Sequence, residues 1–337
     1  MAEGHLSRRT LLEIGVAGSL ALLTGCSRTG QRLAARRGDL PERWTRRLPS
    51  DWQVRWLEGA IKVREAMAAP SVTRPALVQL SDGWATDLPL SAWVPLNQPA
   101  LLGRLAPVAG PVSRLFGGLE QPPLAFPWSV NPWVLVLRDR PVLAKQTSRG
   151  WDLLLDESLA GRVVLPSSPR VVMALVGDDP ERLCRLRRQA LAHDDRQGLQ
   201  LLLNGPARAA VLPRQQVVPL LRRDPRLSVV LPDEGAPLAW SLLLRPAGNA
   251  MPPPEGWLEA VLQPPLLPRV LAAGWVPPLP RAALATALEG FPPALAQLLL
   301  PPEKVLARCR DLPPLSPDQR RRLQELWNGT TLCQRQP

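Results

Sequence analysis

Residues 151–165 read WDLLLDESLAGRVVL. The first six form a short helical turn. Gly161-Arg162-Val163-Val164-Leu165 is then a continuous apolar run of strand length, stopped by Pro166-Ser167-Ser168-Pro169. A run apolar on both faces is a strand covered on both sides, and such strands belong to sheets sandwiched between helices. Downstream a helix follows with good start chemistry: Asp179 as cap, Pro180 in the first turn, and Leu183, Leu186 and Leu191 on roughly one side. Leu199 to Leu203 reads as a helix ending at Asn204-Gly205. Ala209 to Leu212 and Leu227 to Leu231 read as short strands around a helical turn near Gln216 to Arg222. Upstream, WVLVL at 133–137 is another full apolar strand, closed by the charged break at 138–141. Arg74 to Leu80 is a strand ending in the turn Ser81-Asp82-Gly83, and Trp240 to Arg245 is a further strand. Beyond it the chain is helical and punctuated by proline, with a capping-box-like start at Ser316-Pro317-Asp318-Gln319 and a stop at Asn328-Gly329. This alternation of strand and helix predicts an α/β protein of mostly parallel sheets covered by helices.

Composition bounds the rest. The 337 residues suit one large domain or two ordinary ones, and 45% hydrophobic content excludes a disordered chain. Four cysteines exclude a disulfide scaffold, and no run of 18 uncharged apolar residues marks a multi-span membrane protein. Proline, at 41 residues, has more than double its usual share and predicts short elements with rigid turns.

The first 26 residues form one device. Arg8-Arg9 precede a weakly apolar stretch of 12 residues from Ile14 to Gly25, too short to span a bilayer and right for the core of an export signal. Leu23-Thr24-Gly25-Cys26 follows, with small residues before a thiol suited to lipid attachment. The segment resembles a bacterial lipoprotein signal, residues 1–25 being the signal peptide and Cys26 the lipidated residue. The arginine pair resembles a twin-arginine signal, although Glu13 departs from its usual basic residue and leaves the export route open.

The formal charge is +12, and residues 26–50 contribute seven basic against two acidic residues. This segment reads as a basic tether, held against anionic headgroups or simply solvated. Nucleic-acid binding fails on pattern, since the chain has no zinc-finger spacing and no heptads after a basic region. Cys184, Cys309 and Cys333 lack metal-ligand spacing and the chain holds only His5 and His193, so neither a metal site nor a cofactor is expected.

Five blocks carry a family resemblance: 77–88 (LVQLSDGWATDL), 124–137 (LAFPWSVNPWVLVL), 151–165, 205–212 (GPARAAVL) and 229–240 (VVLPDEGAPLAW). In order and spacing they resemble the extracellular solute-binding proteins of polyamine (spermidine/putrescine)-type ABC transporters. The resemblance implies a type II periplasmic-binding-protein fold: two α/β lobes with helices on both sheet faces, two hinge crossings near Trp128–Leu137 and Val230–Leu244, and a solute in the cleft. Lobe 1 would comprise 51–137 and 240–337, and lobe 2 residues 138–239. It further implies a monomeric, periplasm-facing lipoprotein that closes on a small solute and presents it to a permease in the inner membrane.

A polyamine site needs carboxylates at set distances and aromatic faces for methylene stretches and cation–π attraction. With no Tyr and three Phe, the twelve Trp carry nearly all aromatic surface. The resemblance puts Trp84, Trp128 and Trp240 at the cleft, each with core packing as its alternative. Asp82 is either a cleft carboxylate or a group bonded to its own turn, and Glu234 holds the place of the family's Pro-Glu-Gly glutamate. Ser167 and Ser241 stand near positions where the family often has acids. Serines there leave ammonium groups poorly compensated, so solute binding is better supported than polyamine specificity. Two other readings remain. One is a structural or assembly lipoprotein that kept the fold without transport. The other is an exported hydrolase, for which no nucleophile elbow, P-loop or H-E-x-x-H motif is present and no catalytic residue is named.

Overall fold

The computed structural model describes residues 31–194, 197–249 and 251–330. The signal peptide and Cys26 lie outside the described residues. Ten strands are described: β1 (Gln31–Arg36), β2 (Trp52–Leu57), β3 (Leu77–Ser81), β4 (Trp93–Val94), β5 (Ala125–Arg138), β6 (Val163–Leu165), β7 (Ala190–His193), β8 (Ala209–Pro213), β9 (Leu227–Val230) and β10 (Leu238–Pro246). They follow the order β2-β1-β3-β10-β5-β8-β6-β7, with β4 beside β10 and β9 beside β5.

The 14-residue β5 organises this path. At about 3.3 Å per residue it is roughly 45 Å long, enough to run through two bodies. Its first half pairs antiparallel with β10 as far as Pro132↔Leu238, and its second half pairs with β8 from Trp133↔Pro213 and with β9. The change of partner falls at Asn131-Pro132-Trp133, where proline has no N–H to continue a ladder. Parallel pairing is kept by the outer strands, β2-β1-β3 on one side and β7-β6-β8 on the other. The two long strands run antiparallel to their neighbours.

Alternation along the strands builds two cores in each half. In the first lobe Leu77, Phe126, Trp128 and Leu243 face one core while Val78, Leu80, Leu242 and Leu244 face the other. In the second, Leu135 and Leu137 point to one side of the sheet and Val134 and Val136 to the opposite side. Helices cover all four faces, which is why WVLVL and LLLR show no polar alternation. The expected caps are present: the Asp179 carboxylate accepts from the Arg182 N–H at 2.7 Å, and Ser316 and Gln319 form a reciprocal capping box.

Two expected boundaries are corrected. From Gln31 onward the segment assigned to a tether is part of the first lobe. β1 lies inside the sheet with Leu33, Ala34 and Ala35 buried, and the helix Glu42–Thr45 drives Trp44 into the core. The arginines sit at positions that leave an apolar set at 33–35, 40 and 44 to bury, so charge count hid a strand and a helix. The C-terminal end is also reassigned. Helices between 255 and 306 pack on the first lobe, but the chain then passes along the lobe junction, with Arg310 bridging Pro237. Its last helix, Pro317–Gly329, packs Leu323, Leu326 and Trp327 onto the second lobe. There the Arg187 guanidinium lies 4.2 Å from the Trp327 ring and donates to the Trp327 carbonyl at 2.7 Å. Cys184 is disulfide-bonded, whereas Cys309 is free. His193 is a half-buried β7 residue edge-on to Trp327, with its pKa lowered by burial and by Arg187.

Candidate functional site

The lobe junction is floored by polar residues at the carboxyl end of β3. Ser81 (β3), Ser241 (β10) and Ser129 (β5) share one lateral register row, so three neighbouring strands bring hydroxyl-bearing residues to the same level. In open α/β sheets, ligands sit outside these strand ends. Asn131 donates to the Ser129 hydroxyl at 3.0 Å, and its carbonyl receives the Arg214 guanidinium. Arg214 is 2% exposed and also donates to the carbonyls of Val130, Leu298 and Leu299. It thereby ties the end of β8 to the first lobe.

Above this floor, Trp240 joins two carboxylates. Its backbone N–H donates to Asp82 Oδ1 at 3.3 Å and its indole Nε1 to Asp311 Oδ1 at 2.7 Å. Asp82 does not sit in a turn: the sequence Ser81-Asp82-Gly83 opens the short helix Asp82–Thr86 directly from the strand, and the side chain is 7% exposed. Burial raises the Asp82 pKa to about 7, with hydrogen bonds from the backbone N–H groups of Trp240, Gly83 and Asp82 itself opposing and the Asp311 charge adding to the rise. Asp311 is raised by burial too, against the Trp240 hydrogen bond. From the second lobe Arg170, in the first turn of the helix Pro169–Val176, donates to the Pro313 carbonyl, while Arg310 reaches the Ala174 carbonyl at 3.1 Å. Burial lowers the Arg170 pKa; the Asp82 charge opposes that shift and the Arg320 charge adds to it.

The structure therefore gathers Asp82, Trp240 and Ser241, and adds Asp311 and Arg170, which sequence reasoning missed. Neither lies in a recognisable motif. Asp311 is 71 residues from its Trp240 partner and Arg170 is 143 from its own, so only folding pairs them. Trp128 is fully buried in the first-lobe core, between Trp44 at 5.1 Å and Trp275 at 4.9 Å, and its cleft role is corrected to packing. Trp84 is half-buried on the first lobe under the Arg64 guanidinium, 5.7 Å from its ring. Ser167 is exposed just before the Arg170 helix.

Glu234 is exposed and bonded within the second lobe. Its carboxylate accepts the Trp151 backbone N–H and packs against Gly150, whose φ of +63° and lack of a side chain make room for it. The Trp151 indole donates to the Gly235 carbonyl at 3.0 Å, so two of the five family-like blocks, 151–165 and 229–240, are latched to one another. We expect Glu234→Ala to lower stability by about 1–2 kcal/mol in chemical denaturation and to leave solute affinity within about twofold. A large affinity loss at unchanged stability would return Glu234 to the site.

Among the described residues no group of three or more His, Cys, Asp or Glu side chains is placed to hold a metal ion. No described helix is long and apolar enough to cross a membrane.

No family model and no curated protein matches the chain by sequence. Solved structures do match by shape. The spermidine/putrescine ABC transporter substrate-binding protein PotD of Streptococcus pneumoniae superposes with a TM-score of 0.72 at 12% identity, covering 91% of this chain and all of that one. A substrate-binding protein of an ABC transporter from Agrobacterium tumefaciens gives 0.63 at 14% identity, over 91% of this chain and 96% of its own. The TpPotD lipoprotein of Treponema pallidum gives 0.59 at 12%, over 90% and 99%. Across nearly the whole length of each, the shared feature is the arrangement of strands described above: this chain has the two-lobed, type II periplasmic-binding-protein fold.

Proposed function

We propose that the protein is the solute-binding component of an ABC-type importer. It would capture a small solute between its lobes and deliver it to a permease in the inner membrane. The observation that carries this reading is that polar side chains from both lobes meet at one junction: Trp240 bonds Asp82 and Asp311, and Arg170 bonds the Pro313 carbonyl, beside a row of serines. Buried ionisable groups held apart from neutralising partners cost stability, and sites that bind charged molecules are where proteins tolerate that cost. Long strands and a chain segment crossing between two separately packed bodies allow hinge closure, the motion by which such a protein traps its solute. The neighbours' printed descriptions, mainly ABC-transporter binding proteins, support the same role.

The finer reading is of a lipoprotein. Residues 1–25 direct export, Cys26 carries the lipid, and the monomer faces the periplasm, acting by binding without turnover. A second reading is favoured by one observation. The segment Asp311–Pro313 already takes the Trp240 and Arg170 hydrogen bonds, as an occupant of the junction would. A protein that keeps the fold as a structural lipoprotein has that property too.

Thermal-shift titration against polyamines, amino acids and small organic anions decides between them. A binder shows a saturable rise in melting temperature, near 3 kcal/mol of added stability at a hundredfold excess over Kd, with the solute recovered unchanged. Loss of the solute would indicate an exported hydrolase, and absence of any shift would favour the structural role.

A further inference from the structure

We propose that Cys184 and Cys333 form a disulfide that fastens the C-terminal helix to the second lobe. The bond is independent of any solute. Cys184 is disulfide-bonded and Cys309 is free. The chain has four cysteines, so the partner of Cys184 is Cys26 or Cys333, both outside the described residues. The fold around Cys184 discriminates between them.

Cys184 lies in the helix Pro180–Gln189, one turn before Arg187 and on the same face. Arg187 holds the end of the C-terminal helix. Its guanidinium donates to the Trp327 carbonyl at 2.7 Å and to the Thr330 hydroxyl at 3.2 Å, and Thr330 is 4% exposed. The chain thus reaches this helix face at residue 330. Cys333 is three residues further on, and an extended chain of that length spans about 10 Å. A disulfide needs its two Cα atoms within about 7 Å of each other. Cys26 is five residues before Gln31, a reach of about 17 Å. Its point of departure, β1, is six strand spacings from β7, into which the Cys184 helix runs directly. Six spacings are roughly 29 Å, before the offset along β5 is added. Cys26 falls short, and its thiol stays available for a lipid.

Packing gives the bond a task. The helix Pro317–Gly329 has no fully buried residue and rests on the second lobe through Leu323, Leu326 and Trp327, each only partly buried. So little apolar area holds a helix weakly. A cross-link just past its last turn limits its release and closes a long loop, which restricts the unfolded chain most. Two electrons and two protons pass from the thiols to an external disulfide, which leaves as two thiols while the Sγ–Sγ bond forms. Compartments outside the cytoplasm hold oxidants of that class.

Peptide mapping tests the pairing. The full-length protein is equilibrated in a buffer of oxidised and reduced glutathione, alkylated, and digested with trypsin without further reductant. The expected product joins residues 183–185 to residues 323–335, with Cys309 alkylated. Reduction should part the two peptides and lower the melting temperature by about 5 °C. Cys333→Ser should show the lower temperature with or without reductant, whereas Cys309→Ser should keep the link. A peptide joining Cys184 to Cys26 or to a second chain overturns the assignment, as does Cys184 recovered alkylated or bound to glutathione. A link whose reduction leaves the melting temperature unchanged overturns the fastening role. None of these outcomes bears on solute affinity, so the solute-binding reading stands or falls by its own titration.

Discussion

Trp44→Ala is expected to cost about 3–5 kcal/mol and to lower the melting temperature by roughly 10 °C. Trp44 is fully buried and stacked on Trp257, with ring centroids 4.3 Å apart and planes 13° from parallel. Each indole donates to the other residue's backbone carbonyl at 2.8 Å, a reciprocal pair joining chain positions 213 apart. Truncation removes the ring and leaves the Trp257 carbonyl without its buried donor; the reverse bond, to the Trp44 carbonyl, survives. Trp44→Phe separates the two effects, since it keeps an aromatic ring and deletes only the donor, for about 1–2 kcal/mol. Guanidinium-induced unfolding of both variants measures the difference. If residues 31–50 were a tether, Trp44→Ala would change stability by no more than a few tenths of a kcal/mol, and the placement of β1 in the sheet would be wrong with it.

Asp82→Asn is expected to have the opposite sign: a gain of about 2–4 kcal/mol at pH 8 and almost none at pH 3.5. The Asp82 pKa is raised from 3.8 to about 7 by burial. Between those values the folded protein holds a proton that the unfolded chain has already released. Stability from this group is therefore complete below pH 3.8 and is lost as pH rises through about 7, a difference near 4 kcal/mol at most. Asparagine keeps an oxygen for the Trp240 N–H and removes the buried charge, so the variant should lack that slope. A smaller slope of the same sign remains from Asp39, raised to about 6 by burial against the lowering effect of Arg36. Chemical denaturation at several pH values reads this directly. Equal destabilisation by Asp82→Asn at both ends of the range would mean the carboxylate is compensated in the fold.

Legibility followed the range over which each feature is determined. WVLVL at 133–137, Val163 to Leu165 and the strand around Trp240 were readable because an apolar run of five or six residues leaves little else for the backbone to do. Asp179 and Ser316 were readable as caps because a cap is satisfied within three residues. Gln31–Arg36 was not, since arginines at 32 and 36 mask a three-residue apolar centre whose burial depends on β2 and β3. The site divided in the same way. Trp240 and Asp82 stand next to strand ends that the sequence shows. Asp311 and Arg170 acquire meaning only from partners far along the chain. Glu234 and Trp128 matched a family pattern, yet they hold structure together: a carboxylate next to Gly150 finds a backbone N–H, and a tryptophan on the inner face of a strand finds other tryptophans.

By itself, the order of residues determined the strand-and-helix alternation, the two-sided burial of the central strands and the local helix starts, because each of these depends on hydrophobic period or on bonds a few residues long. Tertiary structure decided which tryptophans pack and which one presents its N–H groups, where the C-terminal segment crosses between lobes, and which polar groups meet at the junction. Those outcomes depend on contacts between residues tens to hundreds of positions apart, and no local pattern records them.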